Sequence, residues 1–121
     1  MRYNPDVAPP AKQWLALDES ERMDLVEQSH DASMPNLRVH AAIHATVESQ
    51  LAMQLPSVVD ALARLQAEGL DRHDAIHAIG SVLAGHMWTL LQGDAPEGDP
   101  NTEYFAALDR LSAESWRREY E

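Results

Sequence analysis

Val39-His40-Ala41-Ala42-Ile43-His44-Ala45-Thr46-Val47-Glu48-Ser49-Gln50-Leu51 is the stretch on which the fold is decided. Its branched apolar side chains, Val39, Ile43, Val47 and Leu51, recur every fourth place, which is the stripe of an α-helix rather than the alternation of a strand. At roughly 100° per residue, His40 and His44 fall together on one flank of that stripe, with Glu48 one turn further along. Asn36 stands where an N-cap belongs and Pro56 interrupts, so the spacing predicts a helix from Asn36 to about Gln54.

A second stretch repeats the arrangement. In Arg72-His73-Asp74-Ala75-Ile76-His77-Ala78-Ile79-Gly80 the apolar stripe begins with Ile76 and Ile79 and continues through Leu83, Met87 and Leu90. His73 and His77 again lie on its flank. Asp71 reads as the N-cap and Gly93 as the stop, giving a helix over 71–92. His86 falls nearly half a turn away from His77 and is set apart from the pair.

Outward from these two helices the punctuation continues. Residues 1–9 read as an extended lead-in that ends at Pro9-Pro10, and a short helix over 11–17 carries Trp14, Leu15 and Leu17. Asp18 with Glu21 three places on has the spacing of a capping box and opens a helix over 19–30. Asp31 to Pro35 breaks it. Pro56 suits the first turn of a helix over 56–68, with Val58, Val59, Leu62 and Leu65 as its apolar positions and Gly69 at its C′ position. The segment 93–99 reads as a turn-rich loop, and Asp99-Pro100 starts a last helix that breaks near Ser112 and resumes over 113–120. Trp14, Trp88 and Trp116 are expected to dock into the core.

Strand signals are nearly missing, with one Phe, three Tyr and no alternating run of β-branched residues. The expected fold is therefore all-α: one domain over 1–121, a small irregular bundle of about five to six helices. If the 56–68 helix folds back as a short link, the two histidine helices run roughly parallel. His40 then stands level with His73, and His44 with His77.

Composition narrows the function. The 121 residues fit one domain. A net charge of −11, from 9 basic and 20 acidic side chains, repels a phosphate backbone and argues against nucleic acid. No window approaches the ~20 apolar residues of a membrane span, and the first residues lack the apolar core of a secretory signal. The chain has no cysteine, so any metal must be held by imidazole or carboxylate. A cytoplasmic protein is expected, with a protein partner or a homo-oligomer left open and any small-molecule substrate unknown.

The chemistry lies in the two His-x-x-x-His pairs. Imidazoles four apart sit one turn above each other on a helix and can chelate one ion with little backbone adjustment. Ala41 and Asp74 follow the first histidine of each pair, so the catalytic Glu of His-Glu-x-x-His proteases is missing from both. The candidate ligands are His40, His44, His73 and His77, with Glu48 as a further ligand or an orienting group and Asp74 as another candidate to orient. Four neutral imidazoles favour zinc, copper or nickel, and adding Glu48 moves the set towards iron, manganese or a catalytic zinc. The cofactor expected is thus a divalent transition metal, zinc first, with iron, manganese or nickel as alternatives. A closed four-histidine site would be structural, whereas Glu48 beside an open position could activate water. The competing class is a helical interaction or regulatory module whose histidines merely pack. No phosphate-binding glycine loop or nucleophile motif is present.

Taken together, His40-x-x-x-His44-x-x-x-Glu48-x-Gln50, the Pro56 that follows, His73-x-x-x-His77-Ala78-Ile79 and Trp88 resemble the bacterial family catalogued as domain of unknown function 1841. The resemblance runs from Leu37 to Trp88. It implies a helical fold and a histidine site, and it implies no particular reaction. That family's pattern often has an acidic residue where this chain has Gly85, which takes one ligand from a two-carboxylate, di-metal version of the site.

Overall fold

The structure, a computed structural model, describes residues 1–93 and 98–120. Seven helices and no strand occur among the described residues: α1 (Ala11–Ala16), α2 (Glu19–Gln28), α3 (Leu37–Ala52), α4 (Pro56–Ala67), α5 (Arg72–Leu91), α6 (Asn101–Arg110) and α7 (Ala113–Tyr120). Residues 94–97 of the expected 93–99 loop lie outside the described residues.

Local chemistry explains most of the boundaries. Asp18 accepts from the Glu21 N–H at 2.8 Å while the Glu21 side chain accepts from the Asp18 N–H at 3.2 Å, so the expected capping box opens α2. Asp71 caps α5 by accepting from the Asp74 N–H at 2.8 Å. Pro56 occupies the first turn of α4, and Gly69 follows that helix at φ +105°, a backbone angle that suits glycine. Asn36 departs from expectation: it sits in the left-handed region at φ 56°, and its side chain makes no capping bond. It turns the chain into α3, a conformation asparagine tolerates better than most residues.

The core has two parts. The larger gathers Val47, Val58, Leu65, Ile76, Ile79 and Leu108 from α3 to α6. The smaller joins Tyr3, Trp14, Val26, Ala41 and Ala45 from the lead-in, α1, α2 and α3. Each fully buried Ile, Leu or Val contributes roughly 1.5–3 kcal/mol relative to exposure. Because α3 packs against α2 and also against α5, it is buried along two sides. Its buried arc runs through Ala41, His44, Ala45, Val47 and Glu48, while Val39, expected on the core stripe, is 64% exposed.

The pairing of α3 with α5 corrects the expected orientation. Ile43 lies against Gly80, His40 meets His77, His44 neighbours His73, and Glu48 pairs with Arg72. His40, His44 and Glu48 thus meet His77, His73 and Arg72 in turn, rising numbers against falling ones, so the two helices pass in opposed directions. The parallel arrangement depended on α4 folding back along α3, whereas α4 lies mainly along α5 and α6. Trp88 is a second correction. Trp14 is fully buried and Trp116 half-buried, but Trp88 is 66% exposed on the last turns of α5, beside exposed Met87 and Leu91.

Candidate metal centre

Four segments of chain meet at the seam between the two core clusters: the lead-in, the end of α2, α3 and α5. His30 stands just past α2. Its Nδ1 lies 2.8 Å from the Val26 carbonyl, which can only accept, so Nδ1 carries the proton and Nε2 keeps a lone pair. That Nε2 is 3.1 Å from His40 Nε2, 3.2 Å from His73 Nε2 and 3.5 Å from His77 Nε2. His40 Nε2 and His77 Nε2 are 3.1 Å apart.

One ring nitrogen from each of His30, His40, His44 and His77 lies within 4.8 Å of the other three, a grouping that could hold a metal ion. A tetrahedral ion with metal–nitrogen bonds of ~2.0–2.1 Å sets its ligands about 3.3–3.4 Å apart, within the span of the separations just given. His73 stands at the edge of this group, with its Nε2 3.2 Å from His30 Nε2 and its ring centroid 4.2 Å from that of His77.

His44 is held from behind. Its Nε2 is 2.8 Å from the Tyr3 hydroxyl, and that hydroxyl donates its single proton to Glu48 Oε2. His44 Nε2 must therefore be the N–H that donates to Tyr3, which leaves Nδ1 as the nitrogen with a lone pair. His44 Nδ1 is buried and has no hydrogen-bond partner. An orphaned buried acceptor is unfavourable by roughly 1–3 kcal/mol, and a metal ion would satisfy it.

Behind Tyr3 stands a buried ion pair. Glu48 is 1% exposed, and Arg72 bridges both of its oxygens, Nη1 to Oε2 at 2.9 Å and Nη2 to Oε1 at 2.5 Å. Arg72 also donates to the Pro5 carbonyl at 2.9 Å, and Asp6 accepts from the His73 backbone N–H at 3.2 Å. These contacts fasten the lead-in across α3 and α5. Arg72 is held above the ordinary guanidinium range because its bonds and charge interaction with Glu48 outweigh the opposing effect of burial. Burial, then the Glu48 charge, pushes the Tyr3 hydroxyl well above the ordinary phenol range, so it remains a donor.

Four of the imidazoles are held towards the neutral form, the form that can ligate a metal. Burial first, then the neighbouring imidazoles, pushes His44 down to about 2 and His77 down to about 3. His40 and His73 are lowered as well, with burial again the main cause. Metal binding requires the unprotonated ring, so protons compete little at neutral pH.

Of the candidate ligands read from sequence, His40, His44 and His77 come together in the group of four, and His73 borders it. Glu48 is near but committed to Arg72 and Tyr3. Asp74 lies in the first turn of α5, where its backbone N–H donates to the Asp71 cap. His86 stands apart, stacked on Tyr104 with ring centroids 5.6 Å apart. His30 was not among the sequence candidates: it lies past a helix end, ten residues before His40, with no periodic relation to either pair. Its only signal was being a further histidine in a chain with six. Tyr3 and Arg72 gave none.

No protein-family model matches the chain, and no curated protein or solved structure does.

Proposed function

We propose that this is a metal-binding helical protein in which His30, His40, His44 and His77 hold one divalent transition ion, with zinc first and copper, nickel or iron behind it. The observation that carries the reading is the convergence of four imidazole nitrogens within 4.8 Å, one of them belonging to a residue with an orphaned buried lone pair. His30 and His44 each direct an N–H away to an acceptor, Val26 and Tyr3 respectively. Ligating histidines are normally fixed in this way, through a bond on the nitrogen that does not ligate. All-nitrogen donors and near-tetrahedral spacing suit zinc best. Manganese fits less well with Glu48 drawn off to Arg72. The same ion pair takes Glu48 out of the role of a base beside the metal, so the site reads as one that binds an ion and ties α2, α3 and α5 together. We propose further, on the paired His-x-x-x-His motif, that the chain belongs with the bacterial family catalogued as domain of unknown function 1841.

The test is metal analysis of protein purified without a polyhistidine tag, followed by thermal unfolding with and without a chelator. About one ion per chain and a melting temperature lowered by chelation are expected. A metal-free protein whose stability ignores both chelator and added zinc would overturn the reading and favour histidines that merely pack.

A further inference from the structure

A cavity of about 340 Å³ opens beside the histidine group. His40, His44 and His77 line it, and the remaining wall is chiefly apolar, with Ile43, Ile76 and Trp116 contributing its larger side chains. This volume falls at the small end of the roughly 300–1,000 Å³ typical of small-molecule sites. Gly80 keeps the floor open: a Cβ there would stand 3.1 Å from Ile43 Cγ2. Ser81, the one other polar lining residue, already donates its hydroxyl proton to the Ala78 carbonyl at 2.7 Å.

Charge decides what kind of molecule fits. Four neutral imidazoles would leave the two positive charges of the ion uncompensated by its ligands. The nearest buried carboxylate, Glu48, is matched by Arg72. Apart from the three histidines, no ionisable side chain lines the cavity. An anionic head reaching the ion is therefore favoured, and the rest of the ligand must be apolar to match the walls. Zinc can expand to five-coordination, which gives such a head a place without displacing a histidine.

We infer that the cavity is a binding site for a small apolar monocarboxylate whose carboxylate coordinates the ion held by the histidines. The inference rests on the metal-binding reading given above. Such a ligand forms only a coordination bond to the ion, and no covalent bond within it is made or broken.

The experiment uses the full chain loaded with cobalt(II), whose visible spectrum reports a change of ligand. Benzoate, acetate and benzamide are titrated in turn. Benzoate shares its head with acetate and its ring with benzamide, and it is expected to bind at least about tenfold tighter than either. Ala84→Trp alters an exposed residue at the cavity lining, and Trp116→Ala removes part of the apolar wall. Each should bring benzoate towards the acetate affinity while cobalt binding stays unchanged. Stoichiometric cobalt with equal benzoate and acetate affinities overturns the cavity reading alone. So does a benzoate affinity untouched by both substitutions. Absence of cobalt binding overturns the metal reading and this inference with it.

Discussion

Replacing Tyr3 by Phe removes one oxygen atom and tests the whole series of contacts that sets His44. The ring should keep its place, since it packs against Trp14 with centroids 5.4 Å apart. Two interactions disappear. The bond donated to the Glu48 carboxylate is charge-assisted and contributes roughly 1.5–3 kcal/mol. The His44 N–H loses its acceptor in a buried place, at a cost of about 1–3 kcal/mol. Glu48 keeps both contacts to Arg72, which places the total near the lower part of that combined range, about 3 kcal/mol. A domain with roughly 5–15 kcal/mol of stability survives such a loss. Metal affinity should fall as well, by roughly 10–100-fold, because His44 is then free to protonate Nδ1 and turn its ring. Urea unfolding of the metal-free protein measures the first effect. Zinc competition against a chelator measures the second, under conditions where both proteins are folded. A stability loss of the expected size with zinc affinity unchanged would refute the reasoning, since Tyr3 would then support the fold without positioning His44.

His30→Ala should weaken zinc binding as much as His40→Ala does, and His86→Ala should leave it unchanged; equal, small effects from all three would contradict the grouping of four. The metal-free protein should lose stability as pH falls below about 6.5, because His44 and His77 take up protons in the unfolded chain at 6.5 but only near 2 and 3 when folded. Between pH 7 and pH 5 that loss amounts to about 2 kcal/mol through His44, and to about 1 kcal/mol through the more exposed, better screened His77. A urea midpoint flat across that interval would be the contrary result. Gly80→Ala sets a gain of about 1 kcal/mol in helix propensity against a cost of roughly 1–3 kcal/mol from pressing its new Cβ on Ile43, so a net loss of about 1 kcal/mol and weaker metal binding are expected as α3 eases away from α5. Thermal unfolding and the same zinc competition check it, and a raised melting temperature would mean that Ile43 gives way freely.

Much of the fold was legible because helix ends carry local chemistry. The Asp18–Glu21 box, the Asp71 cap, Pro56 and Gly69 each act within a few residues, and each stands where the sequence placed it. The relative direction of α3 and α5 was not legible. It depends on which neighbours α4 packs against, and the apolar stripe of α4 does not encode that. Val39 shows a related limit: a stripe locates one apolar face, but α3 is covered on two sides, and its small residues Ala41 and Ala45 mark the second. At the site, the i, i+4 spacing revealed the two histidine pairs because a helix converts spacing into proximity. His30 and Tyr3 reach the same place through turns and an extended segment, where spacing carries no such meaning.

Glu48 and Arg72 make each other's substitution conditional. Taking away one member of a buried ion pair costs about 3–5 kcal/mol, whereas exchanging both for well-packed apolar side chains is often neutral. Tyr3 belongs to the same set through its bond to Glu48. Drift at positions 3, 48 and 72 should thus proceed in concert, and related chains should keep the three polar residues together or lose them together. A lineage that traded all three for apolar side chains would retain its helices while releasing His44 to either tautomer. If the histidines hold a metal, selection for it would then be marked at Tyr3 as plainly as at the histidines.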